Sequence, residues 1–137
     1  MTYDLHILNF RPMNISEQIH SLSITQTPIG SIRRYDKNAR IHKKREIEML
    51  KASMRENGFT NPILVDGSME IIAGPGRLTA ATELGLEMVP VIRLDHLTNA
   101  QKKALRILDN KLVIEGAWSP DLLAEELASL AQEDFDL

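Results

Sequence analysis

Apolar residues along this 137-residue chain follow two rhythms, one of period two and one of period three to four, and their succession lays out strands and helices in mixed order. Residues 1–20 keep neither rhythm: Ile7, Leu8 and Phe10 run into Arg11-Pro12-Met13-Asn14 and a short Ser16-Glu17-Gln18 stretch, so 1–21 reads as an arm or leader. From Leu22 the pattern sharpens. Ser23 to Ile29 alternates as a strand does and ends at Gly30-Ser31. After a polar connection, Ile47, Leu50 and Met54 mark one stripe of a helix from about Lys44 to Asn57, which Gly58 stops. Ile63-Leu64-Val65 is a short strand. Asp66-Gly67, a pair tolerant of positive φ, suits a tight hairpin to the return strand Glu70–Ala73.

A second helix is expected from Arg77 to Leu84, closed by Gly85, and a strand from Val89 to Leu94 in which Pro90 favours an edge or a strand start. Thr98 and Gln101 have capping-box spacing and open a helix from Asn99 to about Lys111, with Ala104, Leu105, Leu108 and Leu112 as its apolar stripe. Ser119-Pro120 caps a last helix with Leu123, Leu127 and Leu130 in its seam, and Trp118 reads as the anchor that packs this helix on the body. The element order is α+β: a short mixed sheet, inserted helices and a C-terminal helical pair.

Composition narrows the function classes. There is no cysteine, which removes disulfides, thiolate metal sites and cysteine nucleophiles. Nothing approaches a membrane span, and the start lacks the basic residues and long apolar run of a signal peptide, so no membrane and a cytoplasmic setting are expected. The net charge of −3 conceals a polarity along the chain. Arg33, Arg34, Lys37, Arg40, Lys43, Lys44 and Arg45 face only Asp36, a local balance of +6, whereas residues 115–137 carry −7 with no lysine or arginine. The basic segment suits a polyanion, and the two ends could equally fold together and neutralise.

The feature richest in chemistry is Ile71-Ile72-Ala73-Gly74-Pro75-Gly76-Arg77, where a strand turns through two glycines into a helix. Glycine amides can approach an anion closely, a helix start adds unpaired N–H donors, and Arg77 adds a planar fork that fits phosphate oxygens. The same pattern also fits a plain strand-to-helix turn bearing a surface arginine. The histidines, His6, His20, His42 and His96, are scattered and read as core or surface residues.

Three segments in order, Asn38-Ala39-Arg40, the helix ending Glu56-Asn57-Gly58 with Pro62–Val65 after it, and Ile72–Arg77 followed by Val89–Ile92, resemble the ParB-like domain, also called the ParB/sulfiredoxin fold or ParB-type nuclease domain. The resemblance covers about residues 22–112 and leaves 113–137 as a C-terminal acidic helix. It implies a compact α+β domain whose glycine turn binds the phosphates of a nucleotide, CTP in chromosome-segregation members, with Mg2+. Carried over position by position, it implies phosphate contacts at Arg40, Gly74, Gly76 and Arg77, and a magnesium site at Asp109 and Asn110, hard oxygen ligands suited to that ion.

Two departures bear on catalysis. Pro75 stands where segregation proteins have the glutamate tied to hydrolysis, and Gly76 where they have an arginine; proline has neither a carboxylate nor an N–H. Sulfiredoxins of this fold need a cysteine in the glycine turn, which this chain lacks.

Residues 108–137 resemble ParB-like domains found ahead of DNA methyltransferase domains in phage- and plasmid-related proteins. The chain therefore reads as a free-standing domain or an excised N-terminal piece. DNA contact is expected to be weak and salt-sensitive, through the backbone-directed Arg33, Arg34, Lys37, Lys43, Lys44 and Arg45, or to run through another domain. The expectation is a nucleotide-binding module associated with DNA transactions, capable of homodimerisation. The alternatives are a metal-dependent nuclease of the same fold, a small-molecule kinase of the same fold, whose carboxylate base Glu46, Glu48, Glu56 and Glu70 offer without distinctive spacing, and an interaction domain that has lost its ligand.

Overall fold

The computed structural model describes residues 13–37 and 41–134, with the side chains of 110–115 outside the description. Arg40 and the side chain of Asn110 therefore lie outside the described residues. A helix, α1 (Ile15–Ser21), precedes β1 (Ile24–Pro28) and a single 3-10 turn at Ile29–Ser31. Then come α2 (Lys44–Asn57), β2 (Ile63–Asp66), β3 (Ile71–Ala73), α3 (Pro75–Glu83), β4 (Met88–Leu94), α4 (Asn99–Glu115) and α5 (Pro120–Gln132). The α1 helix falls inside the expected leader: Asn14 caps it by accepting from the Glu17 N–H at 3.3 Å, and none of its residues is buried.

The four strands form one sheet in the order β1-β4-β2-β3. Neighbours β1–β4 and β2–β3 are antiparallel, and β2–β4 is parallel, with Ile63 opposite Val91 and Asp66 opposite Leu94. A parallel pair needs a crossover, and β3 with α3 supplies it. Ile63, Val65, Val89 and Val91 are buried on the sheet and pack with Leu78 and Ala81 of α3 and with Ile32. Helix α3 has glycine and alanine at Gly76, Ala80 and Ala81, all buried, which lets α2 lie close against it. From α2, Ile47 is buried, as its stripe requires, and Lys51 reaches Glu83 of α3 at 3.9 Å.

Several expectations are corrected. Of the two readings of Pro90 the edge is excluded, since β4 is an inner strand; Pro90 sits near its start, third in the strand and opposite Gln26 of β1. Proline is tolerated there because the ladder with β2 begins only at Val91, so Pro90 is paired on one side. In the β2–β3 connection the positive φ (67°) belongs to Met69 and not to Gly67. The turn is set instead by Asp66, whose Oδ1 accepts from the Ser68 N–H (2.8 Å), the Ser68 hydroxyl (2.8 Å) and the Glu70 N–H (3.0 Å). Helix α3 starts two residues before Arg77, because proline at the first helical position is preorganised for it.

The capping box of α4 forms as its spacing predicts, with Thr98 N–H to Gln101 at 2.8 Å and Gln101 N–H to Thr98 at 3.2 Å. Its inner face differs from expectation. Ala104 and Leu108 are exposed, and Leu105 shares the half-buried face with Lys102 and Arg106. Those two cations dock the helix: Lys102 Nζ lies 2.9 Å from Asp66 Oδ2, and Arg106 donates to the Ile71 carbonyl at 3.1 Å and to Glu70 at 3.2 Å. The helix also runs on to Glu115, past its expected end at about Lys111. Trp118 is 78% exposed and anchors nothing among the described residues, and α5 buries no residue.

Candidate functional site

Strand β3 delivers the chain to Gly74, which adopts φ 98°, ψ 32° and leads straight into α3. That left-handed backbone is open to glycine and strained for a residue with a Cβ. Helix geometry then leaves the amides of Gly76 and Arg77 without intrahelical acceptors, since Leu78 N–H is the first to bond back, to the Gly74 carbonyl at 2.9 Å. Pro75, at the first helical position, brings no amide proton. This end of α3 opens into a cleft of about 680 Å³ walled by α2, β3, α4 and the segment before α2.

Arg77 folds back beneath Gly74. Its Nη2 donates to the Pro62 carbonyl at 3.0 Å, while its Nε is buried and has no hydrogen-bond partner among the described residues. Burial lowers its pKa, and the negative charge of Asp109 opposes that drift; an arginine stays protonated throughout. A methyl group on Gly74 would sit 2.8 Å from Arg77 Nη2 and 3.1 Å from its Nε. One on Gly76 would sit 3.1 Å from Cε1 and Nδ1 of His42. Both glycines thus make room for side chains of the protein itself, a reason different from the close anion approach that the sequence suggests.

The other walls carry opposite charges. His42 Nδ1 and Glu46 Oε2 of α2 are 3.0 Å apart, and His42 Nε2 is buried without a partner among the described residues. Arg106 stacks its guanidinium 3.8 Å over the Tyr35 ring, and Arg34 donates to Thr79 Oγ1 at 3.0 Å. The chain at Arg33 pairs with the edge of β3, its N–H bonding the Met69 carbonyl at 2.9 Å and its own carbonyl taking the Ile71 N–H at 2.8 Å. That pairing aims Arg34 and Tyr35 at the cleft. Asp109 is exposed on α4 and lines the cleft's rim.

The expected site residues are therefore divided. Gly74, Gly76, Arg77, Arg34 and Asp109 meet in one cleft, whereas Lys37, Lys43, Lys44 and Arg45 are exposed and Arg33 is engaged with Glu70 at 3.2 Å. Sequence reasoning missed the His42–Glu46 pair. Its i, i+4 spacing was a legible signal, but only the fold brings it against Gly76.

The profile of the ParB N-terminal domain matches residues 13–111. The chain belongs to this family. As a ParB N-terminal domain it is 43% identical over 82 residues to the ParB-like nuclease domain-containing protein YnaK of Escherichia coli, covering 60% of this chain and 94% of that protein. It is 32% identical over 111 residues to the probable chromosome 2-partitioning protein ParB of Deinococcus radiodurans, covering 77% of this chain and 36% of that one. Among solved structures, the C-terminally truncated partitioning protein ParB of Caulobacter crescentus complexed with CTP-γ-S superposes with a TM-score of 0.68 at 26% identity, over 82% of this chain and 64% of that one. The chain thus spans nearly all of the first relative and little more than a third of the second.

Proposed function

We propose that this ParB-type domain is a nucleotide-binding module, CTP its first candidate, that holds phosphates at the Gly74–Arg77 turn and serves a larger DNA transaction. The observation that carries the reading is the likeness to the Caulobacter ParB solved with CTP-γ-S, which extends over 82% of this chain. The local chemistry supports it: two unpaired helix-start amides, a desolvated Arg77 with an unpartnered Nε, and Arg34 at the cleft wall all favour an anion. Arg40 is proposed to close over the phosphates from the preceding segment.

Among the described residues no group of three His, Cys, Asp or Glu could hold a metal ion by itself. A magnesium ion would therefore arrive with the phosphates, and Asp109, an oxygen donor on the rim, fits such a shared ion, with Asn110 beside it in sequence. When bound, the ion would neutralise phosphate charge. Pro75 offers no base, so the turn itself binds rather than hydrolyses.

The exposed Lys37, Lys43, Lys44 and Arg45 are proposed to give weak, salt-dependent hold on a DNA backbone, and a second copy of the chain is a proposed partner. Calorimetric titration with CTP, ATP and ADP, with and without Mg2+, tests the module. CTP should bind saturably, and Arg77→Ala should weaken it at least tenfold. Absence of saturable binding to every nucleotide would refute the reading.

A further inference from the structure

Two nitrogens in the cleft are buried and unpartnered among the described residues, and they flank the two glycines of the turn: Arg77 Nε at Gly74 and His42 Nε2 at Gly76. The first belongs to a residue already assigned to phosphate. The second belongs to a histidine outside the phosphate turn.

We propose that His42, oriented by Glu46, is a second phosphate-directed arm of the cleft, donating its Nε2–H to an oxygen of the bound polyphosphate. This rests on the phosphate reading of the turn. Three observations carry it. First, the ring is held rather than loose: Nδ1 is 3.0 Å from Glu46 Oε2 and the side chain is only 19% exposed. A carboxylate at that distance accepts a hydrogen bond from Nδ1–H, which fixes the ring's orientation and leaves Nε2 as the working atom. Second, Nε2 has no partner among the described residues although it is buried, and a buried polar atom is costly until something pairs with it. Third, Gly76 is where α2 and α3 meet at the cleft, and the ring occupies the place of its missing side chain, 3.1 Å from where a Cβ would stand. An arginine or alanine there would displace the imidazole.

The protonated ring would be a donor at both nitrogens, one to Glu46 and one to phosphate. Charged groups from every wall bear on that state. Glu46 on α2, Asp109 and Arg106 on α4, Arg77 on α3 and Arg34 are the charged groups that line the same cleft. With Nδ1–H committed to Glu46, only the protonated ring has an Nε2–H to give, so the contact is tested on both sides of neutrality.

The test titrates wild type, His42→Ala, His42→Gln and Glu46→Gln with inorganic tripolyphosphate and with CTP at pH 6 and pH 8, with folding checked by circular dichroism. At pH 6 both His42 variants should bind both ligands about tenfold or more weakly than wild type, the loss expected for a charge-assisted hydrogen bond. The gap should close toward pH 8. Glu46→Gln should lose part of the pH 6 advantage. In wild type the His42 Nε2 resonance of 15N-histidine-labelled protein should shift on saturation with tripolyphosphate. Wild-type binding with His42→Gln within twofold at pH 6, or an unmoved Nε2 resonance, overturns the arm and leaves the phosphate site standing. A wild type that binds neither ligand overturns both.

Discussion

Replacing Asp66 by asparagine isolates the ion pair that fastens α4 to the sheet. Asp66 is 3% exposed and divides its work between two oxygens. Oδ1 accepts the three bonds that set the β2–β3 turn, and Oδ2 faces Lys102 Nζ at 2.9 Å. Asparagine can keep its single carbonyl oxygen on the turn, so Asp66→Asn removes the negative charge and sets an amide NH2 against an ammonium whose side chain is 19% exposed. Breaking one side of a buried pair costs about 3–5 kcal/mol, and the partial exposure of Lys102 reduces the expectation to about 2–3 kcal/mol. For a chain of this size that lowers Tm by roughly 6–15 °C. The assay is urea and thermal unfolding followed by far-UV circular dichroism, because an exposed Trp118 is a poor reporter of the core.

The pH dependence supplies an independent check on the same pair. Burial alone would raise the Asp66 carboxyl, but hydrogen bonds from Lys102, the Glu70 N–H and Ser68 outweigh it and hold the group well below the usual carboxylate range. A carboxyl whose folded pKa lies below its unfolded value contributes stability that is complete above about pH 4 and drains away as pH falls toward the folded value. Asparagine does not titrate. The gap between wild type and Asp66→Asn should therefore be constant from about pH 5 to pH 7 and narrow below about pH 4. Equal stability within about 0.5 kcal/mol at pH 7, or a gap that persists unchanged at about pH 2, would refute the reasoning.

Two further outcomes follow from the same packing. Gly74→Ala forces φ 98° on a residue with a Cβ and sets that atom 2.8 Å from Arg77 Nη2; it should destabilise by about 1–3 kcal/mol in urea and break the Arg77 bond to Pro62, and a neutral result would mean the turn is not so tightly built. In native-state hydrogen exchange the amides of α4 should exchange well before those of α3, since α3 buries Gly76, Leu78, Ala80 and Ala81 whereas no described side chain of α4 is buried; equal protection would contradict this.

Much of the fold was legible because local signals agreed. The stripe Ile47-Leu50-Met54, the stop at Gly58, the box Thr98–Gln101 and the short runs at Ile63 and Ile71 each pointed to the element observed. What failed depended on distant partners. Pro90 was read as marking an edge or a strand start, and the choice could not be made because sequence does not reveal that the β2 ladder starts one residue later. The α4 stripe was chosen by apolarity, but the face that docks carries Lys102 and Arg106, whose acceptors Asp66, Glu70 and Ile71 lie more than thirty residues earlier. The candidate site divided along the same line. Gly74, Gly76 and Arg77 fall within four consecutive positions and were visible, whereas His42 and Tyr35 join the turn's cleft only when α2 packs on α3 and Arg33 pairs with β3.

The way α4 is attached bears on how the cleft can work. A helix seated by apolar burial shares the fate of the core, whereas α4 is seated by two cations and half-buried Leu105. Arg106 sits one turn before Asp109, so the contacts that fasten the helix also hold its carboxylate at the rim. Arg106 lies over Tyr35 as well, and through that ring the segment leading to Arg34 is tied to the same helix. The cleft therefore has one rigid wall, formed by the turn and α3 within the core, and one wall held by polar contacts that a charged ligand can compete for. An anion placed between Arg77 and Arg34 would attract Arg106 and repel Asp109 unless a cation came with it, so the proposed phosphate site carries the physical requirement that a polyphosphate enter with a cation.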